Sequence, residues 1–273
     1  MNVTKKYLKK LFVICQKPEM KILPGNIAFF LVLSIFPIIT LCGFLSSFFN
    51  ISIQSVVNFM NNALPSDVNN ILLPFITGSG MDLNIGFSII IGYYVASNGA
   101  NSIIVSCNTL YGIKSSDYVS RKFKSLFITI LLVFLFVFTL IVLAFGNSIL
   151  KFVLSMNIFS DIEDTIYYIF SIFKWPFAVI FIYLILKLIF VIAPDSNINV
   201  KYTTRGALFT SFSWIISTFV YSYYVLNFSH YDIFYGSLSN IIVMMMWIYI
   251  LSYSLVFGIA INVQHYNDFM NNR

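Results

Sequence analysis

The chain has 273 residues, of which 59% are apolar and only 10% are charged, and its mean hydropathy is +0.88. An average soluble domain is roughly 45–50% apolar and about 25% charged, so these few charges could not cover a water-soluble globule of this size. The 30 Phe and 17 Tyr exclude intrinsic disorder, and 12 Gly, 7 Pro and 3 Cys are too few for a collagen-like or disulfide-rich chain. The composition therefore predicts an integral membrane protein.

Six apolar stretches are long enough to cross a bilayer as helices. A hydrocarbon core of about 30 Å needs roughly 20 helical residues, and a backbone in lipid must satisfy its own hydrogen bonds. A barrel strand would be only about 10 residues of alternating polarity. The sequence predicts an all-α fold, a single membrane domain over residues 1–273, with six transmembrane helices at 28–49, 86–110, 126–150, 175–193, 207–228 and 241–263.

The distribution of charge predicts the orientation of these helices. The N-terminal segment, the second and fourth connections and the C-terminal tail together hold 13 basic and 4 acidic residues. The other three connections hold 2 basic and 6 acidic residues, and Lys187 lies inside the fourth span. Because basic residues are retained on the cytoplasmic side, both termini are predicted to be cytoplasmic. The net charge of +6 is then a topology signal and an attraction to anionic lipid at the cytoplasmic face, with no clustered patch to suggest nucleic acid.

Two segments outside the spans have amphipathic patterns. Residues 1–25 alternate lysines with apolar residues, which is typical of a helix lying on the cytoplasmic membrane surface or of a solvated basic tail. Residues 51–83 form the longest external connection, where apolar residues at helical spacing and the break at Pro65 and Asp67 predict two short amphipathic helices. These helices could form a moving lid or pack passively.

The sequence contains no recognisable catalytic, metal or cofactor site. Cys15, Cys42 and Cys107 are isolated, and the topology predicts that His230 and His265 lie on opposite sides of the membrane. Nucleotide-binding, serine-hydrolase and zinc-protease motifs are all missing from the sequence. We therefore expect no catalytic residues, no metal and no cofactor, and the sequence gives no argument for an enzyme.

Polar side chains at membrane depth are the unusual feature. Ser97, Asn101 and Asn108 are separated by four and seven residues and share one face of the second span, and Asn98 lies on the adjacent face. An amide in hydrocarbon is costly unless it is hydrogen-bonded or hydrated. This polar stripe therefore lines a solute pathway or joins helices by hydrogen bonds, and the sequence leaves both interpretations open.

Two further spans contain weaker signals. In the first, Pro37 interrupts the helical hydrogen bonds, and Ser34 one turn earlier could take up a freed backbone group, which predicts a kink. In the fifth, hydroxyl groups lie along one face but often bond back to their own helix. These hydroxyl residues are Thr210, Ser213, Ser217 and Tyr221.

Several of these stretches match the motifs of one family in order along the chain. AFFLVLSIFP at 28–37, NTLYG at 108–112 and RGAL at 205–208 resemble segments of the YihY/BrkB family, formerly called ribonuclease BN. The later motifs include YGSL at 235–238 and WIY at 247–249. The residues at motif positions are Tyr111, Gly112, Pro194, Gly206, Tyr235, Gly236, Trp247, Gly258 and Asn262.

The resemblance implies six helices with both ends cytoplasmic in a bacterial plasma membrane, in agreement with the charge count. Ala260 stands where the family commonly has an acid, so a proton or cation role for that acid cannot operate here. The family has no agreed activity. The polar stripe and the absence of soluble catalytic apparatus favour a transporter or exporter of an amphipathic or lipid-linked molecule. The alternative is a membrane scaffold for envelope assembly, and a ribonuclease fits least because no metal-binding cluster is present.

Overall fold

The structure is a computed structural model in which six long helices are described. It describes residues 18–48, 83–139, 163–228 and 238–270, together with a few isolated positions. A short 3₁₀ turn, Val200–Tyr202, precedes the fifth helix. The helices are α1 (Pro18–Phe48), α2 (Leu83–Tyr111), α3 (Tyr118–Thr139), α4 (Glu163–Ile192), α5 (Thr204–Phe228) and α6 (Leu238–Met270).

The helices pack as a closed ring in chain order. Each helix contacts the next, α6 returns to contact α1, and α2 also contacts α6 across the ring. One end of the bundle contains the C-terminal ends of α2, α4 and α6 and the N-terminal ends of α3 and α5. We call it the Asp195 end, after the buried acid described below. The side chains buried in the described residues concentrate towards this end, with Ile104, Phe190 and Ile259 at the centre. Within the described residues, the best-packed part of the bundle is therefore next to the polar connections.

Local sequence sets the helix boundaries at the Asp195 end. Helix α2 ends where Gly112 takes a φ of +67°, and its N–H bonds to Thr109 O while Ile113 N–H bonds to Asn108 O. This pair of bonds is a Schellman C-cap, in which glycine is favoured because other residues are strained at positive φ. Helix α3 begins after Asp117, whose carboxylate accepts the Ser120 N–H at 3.2 Å as an N-cap.

The helical fold expected from composition is confirmed, because the described elements are all helices. Two stretches, Ile166–Ile192 and Ile241–Met270, are apolar and long enough to cross a bilayer by themselves. The helices also extend beyond several predicted spans: α4 begins 12 residues before residue 175 and contains Pro176, and α6 continues to Met270. Most of the predicted segments 1–25 and 51–83 lies outside the described residues, and the six-span topology stays a prediction.

Candidate functional site

Helices α5 and α6 cross at two glycines. Gly206 N–H donates to Asn262 Oδ1 at 2.7 Å, and Thr210 Oγ1 donates to Ser254 O at 3.3 Å. An added Cβ at Gly206 would lie only 2.0 Å from Gly258 O. Three motif positions of the family resemblance, Gly206, Gly258 and Asn262, therefore form one contact in which the backbones touch.

The Asn108 side chain joins the end of α2 to the connection after α4. Its Nδ2 donates to Asp195 Oδ2 at 2.7 Å, and its Oδ1 accepts the Asp195 backbone N–H at 2.9 Å. Pro194, another motif position, follows α4 closely and is followed by this acid. Proline disfavours continuation of a helix, so the chain turns and brings Asp195 to the cap of α2.

Asp195 is also held by the beginning of α3. Its Oδ1 pairs with Lys124 Nζ, and its Oδ2 accepts the Ser116 backbone N–H at 2.9 Å and the Ser116 hydroxyl at 3.0 Å. The Asp195 side chain is only 5% exposed. Burial alone would raise the pKa of the Asp195 carboxyl, but hydrogen bonds from Lys124, Ser116 and Asn108 outweigh it and lower the pKa to about 2. We call these four residues the Asp195 cluster.

A polar pocket of about 390 Å³ lies beside this cluster. It is lined by Lys124 and Asp195 together with Ser116, Ser120 and Asn197. The lysine and the acid neutralise each other, so the pocket offers hydroxyl and amide groups without a net charge. The Asp195 cluster beside the pocket joins α2, α3 and the end of α4 at one end of the bundle. It is therefore a candidate for a contact that keeps this end of the bundle closed.

The rest of the predicted polar stripe on α2 is distributed over several contacts. Asn98 Oδ1 accepts a hydrogen bond from Lys122 Nζ of α3 at 3.0 Å. Ser97 is fully buried and bonds back to Tyr94 O at 2.6 Å. Asn101 is half-buried, and we see no hydrogen bond from its side chain to the described residues. Asn98 and Asn108 therefore join α2 to neighbouring segments, whereas Ser97 bonds within its own helix, and both interpretations of the stripe stay predictions.

A second pocket, apolar and about 670 Å³ in volume, lies between α5 and α6. We call it the α5/α6 groove. Tyr221 and Trp247 stack in its wall with ring centroids 4.8 Å apart. Neither the Tyr221 hydroxyl nor the Trp247 indole nitrogen has a hydrogen-bond partner in the described structure. Ser217 and Tyr221, from the predicted hydroxyl face of α5, and Trp247, a motif position, thus line one groove.

The remaining predicted residues have separate structural positions. Helix α1 continues through Pro37, and Ser34 Oγ donates to Leu31 O at 2.7 Å, so the kink stays a prediction. The Tyr111 ring packs edge-on against Tyr266 of α6, with centroids 5.8 Å apart. The motif residues Tyr235 and Gly236 lie outside the described residues. No group of three His, Cys, Asp or Glu side chains among the described residues could hold a metal ion.

The sequence did not identify Asp195 and Lys124 as a pair. In the sequence they contribute only to the charge of two different connections between spans, because they are 71 residues apart. The local signal was the Pro194–Asp195 dipeptide directly after an apolar span. The stacking of Tyr221 on Trp247 was missed for the same reason, since a hydroxyl face and an aromatic motif on different helices give no sign of contact.

Replacement of Asn108 by Leu is expected to lower the stability of the protein by about 2 kcal/mol. The change removes a donor from a buried carboxylate and leaves the Asp195 backbone N–H unpaired. The matched control is Asn101→Leu on the same helix, which breaks no described hydrogen bond and should have little effect. Thermal unfolding of the purified variants in detergent would compare them, and equal losses would contradict this role of Asn108.

Comparison with known proteins places the chain in a helical membrane protein class. The profile of the family described as Virulence factor BrkB matches residues 15–272. The chain belongs to this family.

The chain is also similar to proteins that have different names. The chain is 27% identical over 261 residues to a Bacillus subtilis (strain 168) protein named as ribonuclease-like, YfkH, and the match covers 94% of both chains. It is 24% identical over 153 residues to a UPF0761 membrane protein of Actinobacillus pleuropneumoniae serotype 5b (strain L20), covering 55% of this chain and 54% of that one. No solved structure matches the chain.

Proposed function

We propose that this BrkB-family protein transports an amphipathic or lipid-linked molecule across a bacterial plasma membrane. The observation that carries the proposal is the α5/α6 groove. Its volume of about 670 Å³ falls within the range of roughly 300–1,000 Å³ that is typical of ligand sites. In a membrane, apolar residues exposed on α5 and α6 border lipid, so a ligand could enter the groove sideways from the bilayer.

The chemistry of the groove fits a molecule with an apolar chain and a few polar atoms. Its walls are mostly aliphatic, including Ile216, Val220 and Ile250, and suit a hydrocarbon chain. Ser217 adds a hydroxyl group to the same lining, and Tyr221 and Trp247 add their stacked aromatic rings. A strongly charged or large hydrophilic solute would not be stabilised by these residues.

The positions of the groove and of the Asp195 cluster support alternating access. Tyr221 lies 15 residues beyond Gly206 on α5, roughly 22 Å along the helix, so the groove is distant from the Asp195 end. A carrier keeps one side closed while the other is open. We propose six spans with both termini cytoplasmic, so that the Asp195 cluster closes the cytoplasmic side in this conformation.

Filling the groove with a bulky side chain tests the proposal. Ile216→Trp places an indole in the groove, and we expect it to lower transport about tenfold, because the ring occupies space that the ligand needs and a loss of about 1.4 kcal/mol in binding is a factor of ten. The matched control is Ile180→Trp on α4, which is similarly exposed but outside the groove lining. Transport would be measured with a short-chain fluorescent phospholipid in vesicles containing the purified full-length protein.

The same experiment separates transport from the alternative. Vesicles with the wild-type protein should move the probe faster than empty vesicles, and Ile180→Trp should match the wild type. No faster movement with the wild-type protein would contradict transport of this lipid class. A stable protein partner on cross-linking, with no flux, would instead support the scaffold hypothesis.

A further inference from the structure

The ammonium group of Lys122 on α3 has an unusual environment. It donates to Asn98 Oδ1 at 3.0 Å and to Tyr94 O at 3.2 Å, and it lies 3.6 Å from the centroid of the Tyr94 ring. No carboxylate among the described residues lies within ion-pair distance of it. Asp117, the acid nearest in sequence, caps α3 through the Ser120 N–H. Among the described residues, the charge of Lys122 therefore contacts neutral groups only.

Lys122 also points in an unexpected direction. A lysine near the end of a membrane helix normally extends towards water. Here the ammonium reaches Asn98, which is ten residues, roughly 15 Å, before Asn108 on α2. The third span is predicted to begin at residue 126, which is four residues, roughly 6 Å, after Lys122 on α3. This position places Lys122 near the border between headgroups and hydrocarbon at the Asp195 end.

The groups around Lys122 can donate to an anion from the lipid side. Two of the three ammonium donors are used, which leaves one donor available. The hydroxyls of Tyr94 and Tyr118 are 3.1 Å apart, so one donates to the other and the second O–H remains available. Both rings are exposed on the surface of the bundle, Tyr118 at 62% and Tyr94 at 48%.

An exposed apolar stripe begins next to this group. Residues on one face of α3 recur every three or four positions and are exposed. They are Val119, Phe123, Phe127, Ile130 and Phe134. The ammonium and a phenol O–H lie at one end of the apolar stripe. This arrangement is complementary to a phospholipid, which has an anionic phosphate above hydrocarbon chains.

We propose that Lys122, Tyr94 and Tyr118 form a binding site for one anionic phospholipid in the leaflet next to the Asp195 end. The phosphate accepts hydrogen bonds from Lys122 Nζ and a tyrosine hydroxyl, and the acyl chains lie along the exposed face of α3. The site is distinct from the α5/α6 groove and does not depend on transport. A basic membrane face attracts acidic lipid in general, and this site would bind one such lipid at a defined place.

Native mass spectrometry of the full-length protein in uncharged detergent tests this site. Phosphatidylglycerol and phosphatidylcholine with identical acyl chains would be titrated separately, and the wild type should bind phosphatidylglycerol more tightly. We expect Lys122→Gln to weaken phosphatidylglycerol binding about fivefold, the effect of one lysine near a membrane surface. Lys114→Gln removes the same charge from an exposed position and should leave binding unchanged.

Further variants separate a lipid site from other causes. Lys122→Arg keeps the charge and should keep the preference for phosphatidylglycerol, which excludes a folding defect as the cause of the loss in Lys122→Gln. Equal losses in Lys114→Gln and Lys122→Gln would overturn the proposal, because they indicate diffuse charge attraction. It would also be overturned by competition from glycerophosphoglycerol, the headgroup without chains, at the same concentration as the lipid.

Discussion

Gly206→Ala is expected to lower the stability of the protein by more than about 4 kcal/mol. The new Cβ would lie 2.0 Å from Gly258 O, a distance that non-bonded atoms do not reach. The obstacle is a backbone carbonyl, so no side-chain rotation can relieve it, and α5 must move away from α6. That movement would also break the Gly206–Asn262 hydrogen bond of 2.7 Å. A loss of this size is exceptional for one methyl group and requires backbone contact.

The matched control is Gly25→Ala on α1. A Cβ at Gly25 has nothing within 4 Å, so alanine fits without any shift. Alanine is favoured over glycine inside a helix by about 1 kcal/mol, so this variant should be as stable as the wild type or slightly more stable. Thermal unfolding of both variants in the same detergent would measure the difference. A Gly206→Ala protein that unfolds at the wild-type temperature would show that the helices do not touch at this point.

Gly258→Ala provides a second measurement of the same crossing. Its Cβ would lie 2.1 Å from Thr210 Oγ1, which can rotate, and 2.9 Å from Gly206 O, which cannot. We therefore expect Gly258→Ala to lower the stability of the protein, as Gly206→Ala does. Small residues are common where membrane helices approach closely, because packing there replaces the hydrophobic effect. In this protein the family-motif glycines fulfil that physical role.

The helices were predictable because a membrane requires long apolar segments. The predicted span 86–110 lies within α2, and 207–228 begins three residues after α5 does and ends with it. The early start of α4 at Glu163 was not predicted, because hydropathy detects the part of a helix that lies in lipid and not its extension beyond it. Helix length outside the hydrocarbon depends on capping and tertiary contact.

The contacts of the candidate site were only half predictable. Asn108 was identified because an amide at that depth needs a partner. Its partner Asp195 is 87 residues away, and a single sequence does not show which distant residues meet. Lys122 was likewise counted as a connection charge, although its ammonium turns back to Asn98 on the polar stripe. Polarity within one helix is therefore visible in the sequence, whereas pairing between helices requires the fold.

Asp195→Asn is expected to lower the stability of the protein by about 3 kcal/mol at neutral pH. The substitution keeps an oxygen for the Ser116 N–H but removes the charge that pairs with Lys124. Breaking a buried ion pair costs roughly 3–5 kcal/mol, and the lower value applies because Lys124 is 23% exposed and can reach water. The control is Asp117→Asn, which removes the same charge from an exposed N-cap that asparagine fills as well.

A double variant identifies the ion pair as the source of this loss. Lys124→Met added to Asp195→Asn removes the lysine charge that the first change leaves unpaired. The double variant should therefore lose less stability than the sum of the two single variants. Strict additivity would mean that the two side chains act independently and that the effect of Asp195 comes from its other hydrogen bonds.

The effect of Asp195 should also depend on pH in a defined direction. The pKa of its carboxyl is lowered in the folded protein to about 2 from a usual value of 3.8. A lowered pKa means that the ionised carboxyl stabilises the folded protein, and the shift corresponds to about 2 kcal/mol of the free energy of unfolding. This contribution is complete above about pH 4 and is lost as the pH falls through about 2. The difference in unfolding temperature between wild type and Asp195→Asn should be constant from about pH 5 to 8 and shrink below about pH 4. A difference that shrinks already between about pH 7 and 5 would mean that the Asp195 carboxyl titrates near neutrality, and the cluster would then be a pH-sensitive contact instead of a permanent one.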